Sequence, residues 1–312
     1  VAVVGAGAWG KNHVRVFHRL GALDTVVDLN DNSVAKVATD YPDVKVTKDF
    51  SEVLADQDIR GVVLATPAET HFELAKQALL AGKDVLVEKP MTLSVAEAEE
   101  LVDLADKHNR VLMVGHLLLY KSAVQAILRA LADKAIGDIR YVEMRRIKLG
   151  KVRAVENVLW CLGSHDVAVL LKLIGAEVAS VIAHGIKAVQ PHIDDDVHVH
   201  LEFVNGVKAH LHSSWFWPED ERKLVIIGSE GMITYDEHKN EVLLHHKRIN
   251  PDLSITDNGA EALAFPDADA LEMECKHFLE CIDKRTTPLT DGVSGVAVIK
   301  VLAEADQALA DN

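Results

Sequence analysis

Short apolar segments alternate with amphipathic segments through residues 1–117. The apolar segments are rich in valine and apolar on both faces, which is typical of strands buried inside a parallel sheet. Ser94 with Glu97, and Thr70 with Glu73, fit capping boxes that begin two of the intervening helices. The predicted strands are 1–4, 25–28, 44–46, 61–65, 85–87 and 111–114. Their alternation with helices predicts a doubly wound parallel sheet.

The pattern changes after residue 118. Several alternating strands follow one another with few helices between them, which predicts an antiparallel or mixed sheet. The dipeptide Asn205-Gly206 between two such strands predicts a tight hairpin. The predicted helices are 122–131, 158–173, 268–282 and 292–309, and the predicted strands are 139–149, 176–189, 197–204, 207–215, 222–227, 231–235 and 241–246. The fold class is therefore α/β, with a first domain at 1–117 and a second, α+β domain at 118–312.

The composition narrows the class of function. The 312 residues suffice for two domains, and the net charge of −15 argues against nucleic acids and anionic membranes as partners, since both attract basic surfaces. The three cysteines form no CxxC pair, which favours a reducing, cytoplasmic environment. No apolar segment is long enough to span a membrane, and we expect no signal peptide because residue 1 already begins a strand.

A glycine-rich loop follows the first predicted strand and opens a helix, which is the context that a dinucleotide-binding loop requires. In Gly5-Ala6-Gly7-Ala8-Trp9-Gly10 the glycines permit a tight turn, a close approach to a pyrophosphate and close packing of the helix. Asp28 ends the second strand, where an acid accepts hydrogen bonds from a ribose 2′-hydroxyl and repels a 2′-phosphate. These features predict NAD as the cofactor. The alternative is an ordinary glycine loop with an exposed turn aspartate.

Three further segments lie at the carboxyl ends of predicted strands, where ligands bind in open α/β sheets. Thr66-Pro67 ends the fourth strand, Glu88-Lys89-Pro90 the fifth and Gly115-His116 the sixth, and we predict that they surround the nicotinamide. A lysine amine there can take a hydroxyl proton while hydride leaves the same carbon, so Lys89 is the predicted catalytic residue. The alternatives are a surface lysine and a strand-end histidine with a purely structural role.

These motifs resemble a known family. GAGAWG at 5–10, ATP at 65–67, EKP at 88–90 and GH at 115–116 look like the glucose–fructose oxidoreductase/inositol dehydrogenase (Gfo/Idh/MocA) family. The resemblance implies a Rossmann domain followed by a domain with a large, open-faced sheet. It also implies that Lys89 is catalytic, that the substrate is a sugar, polyol or nucleotide sugar, and that the chain forms homodimers or homotetramers through the sheet.

Two positions depart from the common pattern of the family. Many members carry Asp four residues before the catalytic histidine, where this chain has Cys161 before His165, and Leu119 stands where Arg is common. Segments 115–120, 148–153, 156–160 and 164–167 are instead similar to UDP-N-acetylglucosaminuronate dehydrogenases, which oxidise the C3 hydroxyl of the sugar. The residues that this similarity places at the substrate are Tyr120, Lys148, Lys151, Arg153, Asn157 and His165.

The second domain contains a cluster of cations in an otherwise acidic chain. A diphosphate and a uronate together carry up to three negative charges, and arginine binds such groups with paired hydrogen bonds. The cluster therefore fits a nucleotide-sugar substrate, and the alternative is a solvated edge strand protected by its charges. The five cations within nine residues are Arg145, Arg146, Lys148, Lys151 and Arg153.

Histidines are frequent in the same domain. A two-residue turn at Asn205-Gly206 pairs residue 200 with 211 and 201 with 210. This register directs His198 and His200 to one face of the sheet and His210 and His212 to the other. Because ligands on opposite faces do not converge, we predict no metal site.

The main hypothesis is an NAD-dependent dehydrogenase that oxidises a secondary sugar hydroxyl, with Lys89 or His165 accepting the proton. The sequence leaves open which of the two is the base. A regulator that binds NAD without turnover is the alternative from another class, and it requires neither residue. A dehydrogenase of free sugars or polyols is the alternative among enzymes, and it does not require the cation cluster.

Overall fold

The computed structural model describes residues 1–310, which fold as two compact units. The first comprises Val1–Tyr120 and Asp269–Ile299, and the second comprises Lys121–Ala268 and residues 300–310. The boundary expected near residue 117 falls close to the end of Val1–Tyr120, but the sequence pattern did not indicate that Asp269–Ile299 packs with the first unit. The division into a cofactor domain and a substrate domain stays a prediction.

A six-stranded sheet forms the centre of the first unit within the described chain. Its strands are β1 (Ala2–Val4), β2 (Thr25–Val27), β3 (Lys45–Thr47), β4 (Gly61–Leu64), β5 (Asp84–Glu88) and β6 (Leu112–Gly115). The order is β3-β2-β1-β4-β5-β6, and every neighbouring pair is parallel. This doubly wound order confirms the predicted parallel sheet.

The helices of the first unit begin at residues that satisfy free backbone amides. Asn30, Asp49 and Ser94 each accept hydrogen bonds from the first turn that follows them. The box expected at Thr70 is wrong, because its hydroxyl donates to the carbonyl oxygen of Pro67 (2.7 Å) within a short 3₁₀ turn. The helices are α1 (Gly10–Arg19), α2 (Asp31–Asp40), α3 (Phe50–Ala55), α4 (His71–Leu80) and α5 (Val95–Lys107).

Apolar side chains of the sheet and of two helices form the core of the first unit. Val3, Leu86 and Met113 of the sheet belong to one buried cluster with Phe17 of α1. Phe278 belongs to the same cluster and lies on the late helix Ala270–Lys284. This packing explains why a segment so far along the chain joins the first unit.

The second unit contains a large sheet of eight strands among the residues described. Its strands are β7 (Ile139–Leu149), β8 (Val178–Ile186), β9 (Asp196–Phe203), β10 (Lys208–Ser214), β11 (Phe216–Gly228), β12 (Met232–Asp236), β13 (Glu241–Ile249) and β14 (Ile255–Ala262). The order is β14-β13-β12-β11-β7-β10-β9-β8, with β7 and β10 parallel and the other neighbours antiparallel. This mostly antiparallel sheet confirms the predicted fold class.

The remaining α-helices of the described residues are α6 (Ser122–Ala132), α7 (Ser164–Ile174), α8 (Ala270–Lys284) and α9 (Gly292–Ala310). A π-helical turn at Leu159–Gly163 precedes α7. The single helix expected at 158–173 is therefore a π turn joined to an α-helix. None of the helices within residues 1–310 combines the length and apolar character that a membrane crossing needs.

The hairpin between β9 and β10 differs from its prediction. His200 pairs with His210, and His198 pairs with His212. The loop contains three residues rather than two, because Phe203 donates its amide to the carbonyl oxygen of Val207 and Gly206 adopts a φ of +82°. The one-residue shift places all four histidines on one face of the sheet, so the predicted division between two faces is wrong.

Candidate functional site

The glycine loop after β1 is shaped by close backbone contacts. Gly5 has a φ of +89°, and a Cβ atom added there would lie 2.8 Å from the carbonyl oxygen of Ala65. A Cβ atom added at Gly10 would overlap the carbonyl oxygen of Gly5, whereas one at Gly7 would meet no atom of residues 1–310 within 4 Å. Gly5 and Gly10 therefore permit the tight packing, and Gly7 leaves its side of the loop open. The residues present fit the pyrophosphate of a dinucleotide.

Asp28 follows β2 and faces this loop. Its Oδ2 accepts a hydrogen bond from the amide of Ala6 (2.7 Å), and its Oδ1 accepts one from the amide of Asn30 (2.8 Å). The two bonds hold the carboxylate beside the glycine loop and leave further lone pairs for a sugar diol.

The segments after β4, β5 and β6 lie side by side at one edge of the sheet. Leu64 pairs with Val87, and Glu88 pairs with Gly115, so Thr66, Lys89 and His116 follow neighbouring strand ends. Three of the predicted cofactor segments are thus brought together, with Pro67 exposed beyond Thr66.

His71 joins two of these segments and was not among the predicted site residues. Its side chain is buried, with Nδ1 2.8 Å from the carbonyl oxygen of Pro90 and Nε2 2.9 Å from that of Thr66. The ring thereby connects the loop after β4 with the loop after β5, and it holds the backbone next to Lys89.

Glu88 connects the glycine loop with the strand that carries Lys89. Its Oε1 accepts hydrogen bonds from Trp9 Nε1 (2.6 Å) and His13 Nε2 (2.6 Å), and its Oε2 accepts one from the amide of Lys89 (3.3 Å). Burial alone would raise the pKa of Glu88, but the bonds from His13 and Trp9 and the charge of Lys89 lower it. Glu88 is therefore an anchored carboxylate.

Glu274 of α8 lies beside this network. It is fully buried, and neither carboxyl oxygen has a hydrogen-bond partner within residues 1–310. Burial, followed by the charge of Glu88, raises the pKa of Glu274 well above its ordinary value. A second negative charge beside Glu88 is therefore disfavoured in this buried cluster.

His116 is buried at the end of β6. Neither ring nitrogen has a hydrogen-bond partner in the part of the chain that the structure describes. Burial, followed by the nearby charge of Lys89, lowers the pKa of His116 to about 4. The ring is thus neutral at neutral pH. It can donate or accept a hydrogen bond with a cofactor, but it does not supply a proton as an imidazolium.

In the second unit, His165 lies in the first turn of α7, directly after the π turn. A Cβ atom added at Gly163 would lie 2.8 Å from Ser213 Oγ of β10, so the glycine permits the turn to approach the sheet closely. Asn157 holds the other end of the turn, since its Oδ1 accepts from the amide of Trp160 (3.1 Å) and its Nδ2 donates to Asp306 (2.8 Å). Asn157 therefore fixes the segment that leads to His165.

The five cations at 145–153 do not form one cluster. Because residues alternate along β7, Arg145 and Arg146 point to opposite faces. Arg145 pairs with Glu143 (2.8 Å), whereas Arg146 forms a bidentate pair with buried Asp166 (2.8–3.0 Å) and contacts Glu237 (3.3 Å). The prediction of a single five-cation cluster is wrong, because two of its members already have carboxylate partners.

The other three cations differ from this pair. Within the described chain, the side-chain amines of Lys148 and Lys151 have no hydrogen-bond or ion-pair partner, and Arg153 approaches Glu156 only to 3.8 Å. Lys148 is half-buried, whereas Lys151 and Arg153 are exposed. These three side chains stay available for an anion.

Tyr120 ends the first segment of the first unit and is buried. Its hydroxyl lies 3.0 Å from His277 Nδ1 and 3.3 Å from Thr290 Oγ1, and the ring belongs to the core cluster. The structure thus gives Tyr120 a packing role in the first unit, and the substrate contact stays a prediction.

Comparison with known proteins gives matches along nearly the whole chain. Residues 1–116 match an oxidoreductase family with an NAD-binding Rossmann fold, and residues 124–234 match the GFO/IDH/MocA C-terminal domain. UDP-N-acetylglucosamine 3-dehydrogenase from Acidithiobacillus ferrooxidans is 30% identical over 298 residues, which cover 95% of this chain and 93% of that protein. The scyllo-inositol 2-dehydrogenase (NAD(+)) of Bacillus subtilis is 27% identical over 96% of this chain and 91% of that protein.

Solved structures agree with these matches. The structure of UDP-N-acetylglucosamine 3-dehydrogenase from Acidithiobacillus ferrooxidans superposes with a TM-score of 0.88 and 29% identity, over 99% of this chain and 96% of that one. GenD2 from gentamicin A biosynthesis, solved in complex with NAD, superposes with a TM-score of 0.83 and 27% identity, over 99% and 93% of the two chains. Both family models and the long relatives agree, so the chain belongs to the Gfo/Idh/MocA family of NAD-dependent oxidoreductases.

Proposed function

We propose that this NAD-dependent dehydrogenase oxidises the C3 hydroxyl of a UDP-N-acetylglucosamine-type nucleotide sugar. The observation that carries the proposal is a set of three cations that, among the described residues, have no carboxylate oxygen closer than 3.8 Å in an acidic chain: Lys148, Lys151 and Arg153. A diphosphate requires such charges, and a free polyol does not. The sequence resemblance favours the uronate form of the sugar, whereas the relative from Acidithiobacillus ferrooxidans is named for the parent sugar. Both forms therefore belong in the test.

The proposed chemistry assigns the proton to this chain's own residues. NAD supplies the hydride acceptor when it is bound. Lys89 follows β5 at the strand edge where cofactors bind in this fold, and its amine, in the unprotonated form, is one proposed acceptor for the proton of the C3 hydroxyl. His165 is the other proposed acceptor. The phosphates of the cofactor would be held by Gly5, Gly7, Ala8, Trp9 and Gly10. The nicotinamide would be enclosed by the strand-end residues Thr66, Pro67, Glu88 and His116.

We further propose that Asp28 selects NAD over NADP. Wild-type protein is expected to bind NAD more tightly than NADP. Asp28→Ala is expected to reduce this difference in affinity, because the charge that repels a 2′-phosphate is lost. Titration of tryptophan fluorescence with each cofactor measures both affinities, and the exposed Trp9 of the glycine loop is a suitable reporter. Asp24→Ala, at the opposite end of β2, is the matched control and should leave the ratio unchanged. Tighter binding of NADP by the wild-type chain contradicts the assignment.

The substrate proposal predicts a specific defect for Arg153→Ala. Loss of one charge-assisted hydrogen bond costs about 1.5–3 kcal/mol, so we expect the KM for the UDP-sugar to rise by at least about tenfold with NAD affinity unchanged. Steady-state NADH formation with UDP-N-acetylglucosamine and with its uronate measures this change. Added salt should weaken substrate binding in the parent more than in the variant. Arg145→Ala, an exposed arginine already paired with Glu143, is the control and should leave KM near the parent value.

Free inositol and glucose complete the substrate test. If the enzyme oxidises them readily, ignores both UDP-sugars and is indifferent to Arg153→Ala, the nucleotide-sugar proposal is wrong. The polyol alternative would then apply, which the similarity to scyllo-inositol 2-dehydrogenase supports.

Assembly is a separate proposal. We propose a homodimer or homotetramer formed through the large sheet, whose edge strand β8 carries the exposed Ile182 and Ile186. Light scattering of the purified chain measures the oligomeric state.

A further inference from the structure

The observed hairpin register removes the reason for excluding a metal from the second unit. His198 of β9 lies directly opposite His212 of β10, and Asp196 lies two residues before His198 on the same strand. Since residues two apart share a face and directly opposed residues share a face, the three side chains project from one side of the sheet. The sequence-based register had placed the two histidines on opposite sides.

The side chains also converge. The ligand atoms of Asp196, His198 and His212 all lie within 4.8 Å of one another. One carboxylate oxygen, Asp196 Oδ1, lies 3.1 Å from Nε2 of His212 and 3.7 Å from Nε2 of His198. Metal–ligand bonds of about 2.0–2.1 Å in a tetrahedral zinc site place neighbouring ligand atoms about 3.3 Å apart, and the two observed distances bracket that spacing.

The surroundings hold the ligands in place and leave an open approach. The two imidazole rings stack with centroids 3.8 Å apart, and Trp217 packs edge-on against His212 at 5.1 Å. Asp196 and His212 are largely covered, whereas half of the His198 side chain is exposed. The positive charge of Arg145, which lies opposite His212 on β7, is offset by its ion pair with Glu143.

We propose that Asp196, His198 and His212 form a binding site for one divalent transition-metal ion of the zinc class. Two imidazole nitrogens and a carboxylate oxygen are a ligand set that zinc and its neighbours accept. The exposed side at His198 leaves a fourth position for water. Because the strands that carry the ligands are adjacent, a bound ion would join β9 to β10 and stabilise the folded unit.

Zinc titration of the full chain tests this site. The protein is used without an affinity tag and is first treated with a chelator, and calorimetry then measures binding. We expect one ion per chain, a rise in Tm with zinc, and visible absorption bands with cobalt in its place. His198→Ala and His212→Ala should each weaken zinc binding by at least about tenfold, since even the loss of an outer partner of a metal ligand costs about 10–100-fold.

His238→Ala is the matched control. His238 forms a histidine–aspartate pair with Asp220 at 2.9 Å, but no third ligand joins that pair in the described structure. The control should bind zinc as the parent does. His198→Ala is the decisive variant because the exposed ring contributes little to the core, and circular dichroism confirms that it folds. Absence of saturable zinc binding, or parent-like affinity in His198→Ala, would overturn the proposal.

Discussion

Turnover is expected to fall by about 10²–10⁴-fold when Lys89 is replaced by methionine, with NAD binding retained, because the amine that takes the hydroxyl proton is lost. His165→Ala is expected to give a loss in the same range. Steady-state kinetics measure turnover, and fluorescence titration measures NAD affinity. The controls are Lys76→Met and His246→Ala, a surface lysine and a surface histidine that are already paired with Glu100 and Glu261. Both should retain parent activity.

The double variant separates two forms of this mechanism. If Lys89 and His165 act on the same proton, the combined loss should be close to the larger single loss, because groups that act as a unit are non-additive. Independent roles would instead multiply the two losses. Activity within a few-fold of the parent in both single variants would refute the assignment of proton transfer to these residues.

Arg146→Met is expected to lower the free energy of unfolding by about 3–5 kcal/mol, since it removes one partner from a buried ion pair and leaves a charge without compensation. Asp166 is only 2% exposed and accepts hydrogen bonds from both Nε and Nη2 of Arg146. The same guanidinium, together with Lys121 and Arg222, lowers the pKa of Glu237 to about 2 although burial alone would raise it. Two carboxylates thus depend on one arginine. Denaturant unfolding at fixed protein concentration measures the loss.

The adjacent arginine provides the control for this measurement. Arg145 lies on the opposite face of β7, and its side chain is 48% exposed in its pair with Glu143. Arg145→Met is therefore expected to cost no more than about 1 kcal/mol. Equal losses for the two arginines would show that the Asp166 pair contributes no more than a surface ion pair.

The parallel sheet was predictable because its strands are short, apolar on both faces and separated by helices. The eleven residues of β7 were also predicted with their observed bounds. β14 was missed, since nearly all of its residues are exposed and it has no alternation of apolar and polar positions. Pairing with β13 holds it in the sheet, and backbone pairing leaves no signal in side-chain hydrophobicity.

The candidate site was predictable where its geometry is local. A local pattern of strand, loop and helix residues was enough to predict the glycine loop, Asp28 and the strand ends at Thr66, Lys89 and His116. The anchoring of Glu88 was not predictable, because its partner His13 lies 75 residues away and Glu274 comes from α8. The prediction of a single five-cation cluster was wrong for the same reason, because the carboxylate partner of Arg146 lies on α7, far away in the sequence.

The sequence by itself determined the order of the elements, the doubly wound sheet and the phosphate-binding loop, because hydrophobic period, helix caps and glycine positions act over a few neighbouring residues. Only the tertiary structure decided which distant groups meet. A three-residue loop in place of a two-residue loop shifted one hairpin by a single residue and brought His198 and His212 to the same face. Burial of Val197, Val199 and Leu201 of β9 on the same face as Ala209 and Leu211 of β10 selects this register, since burying such side chains is worth several kcal/mol.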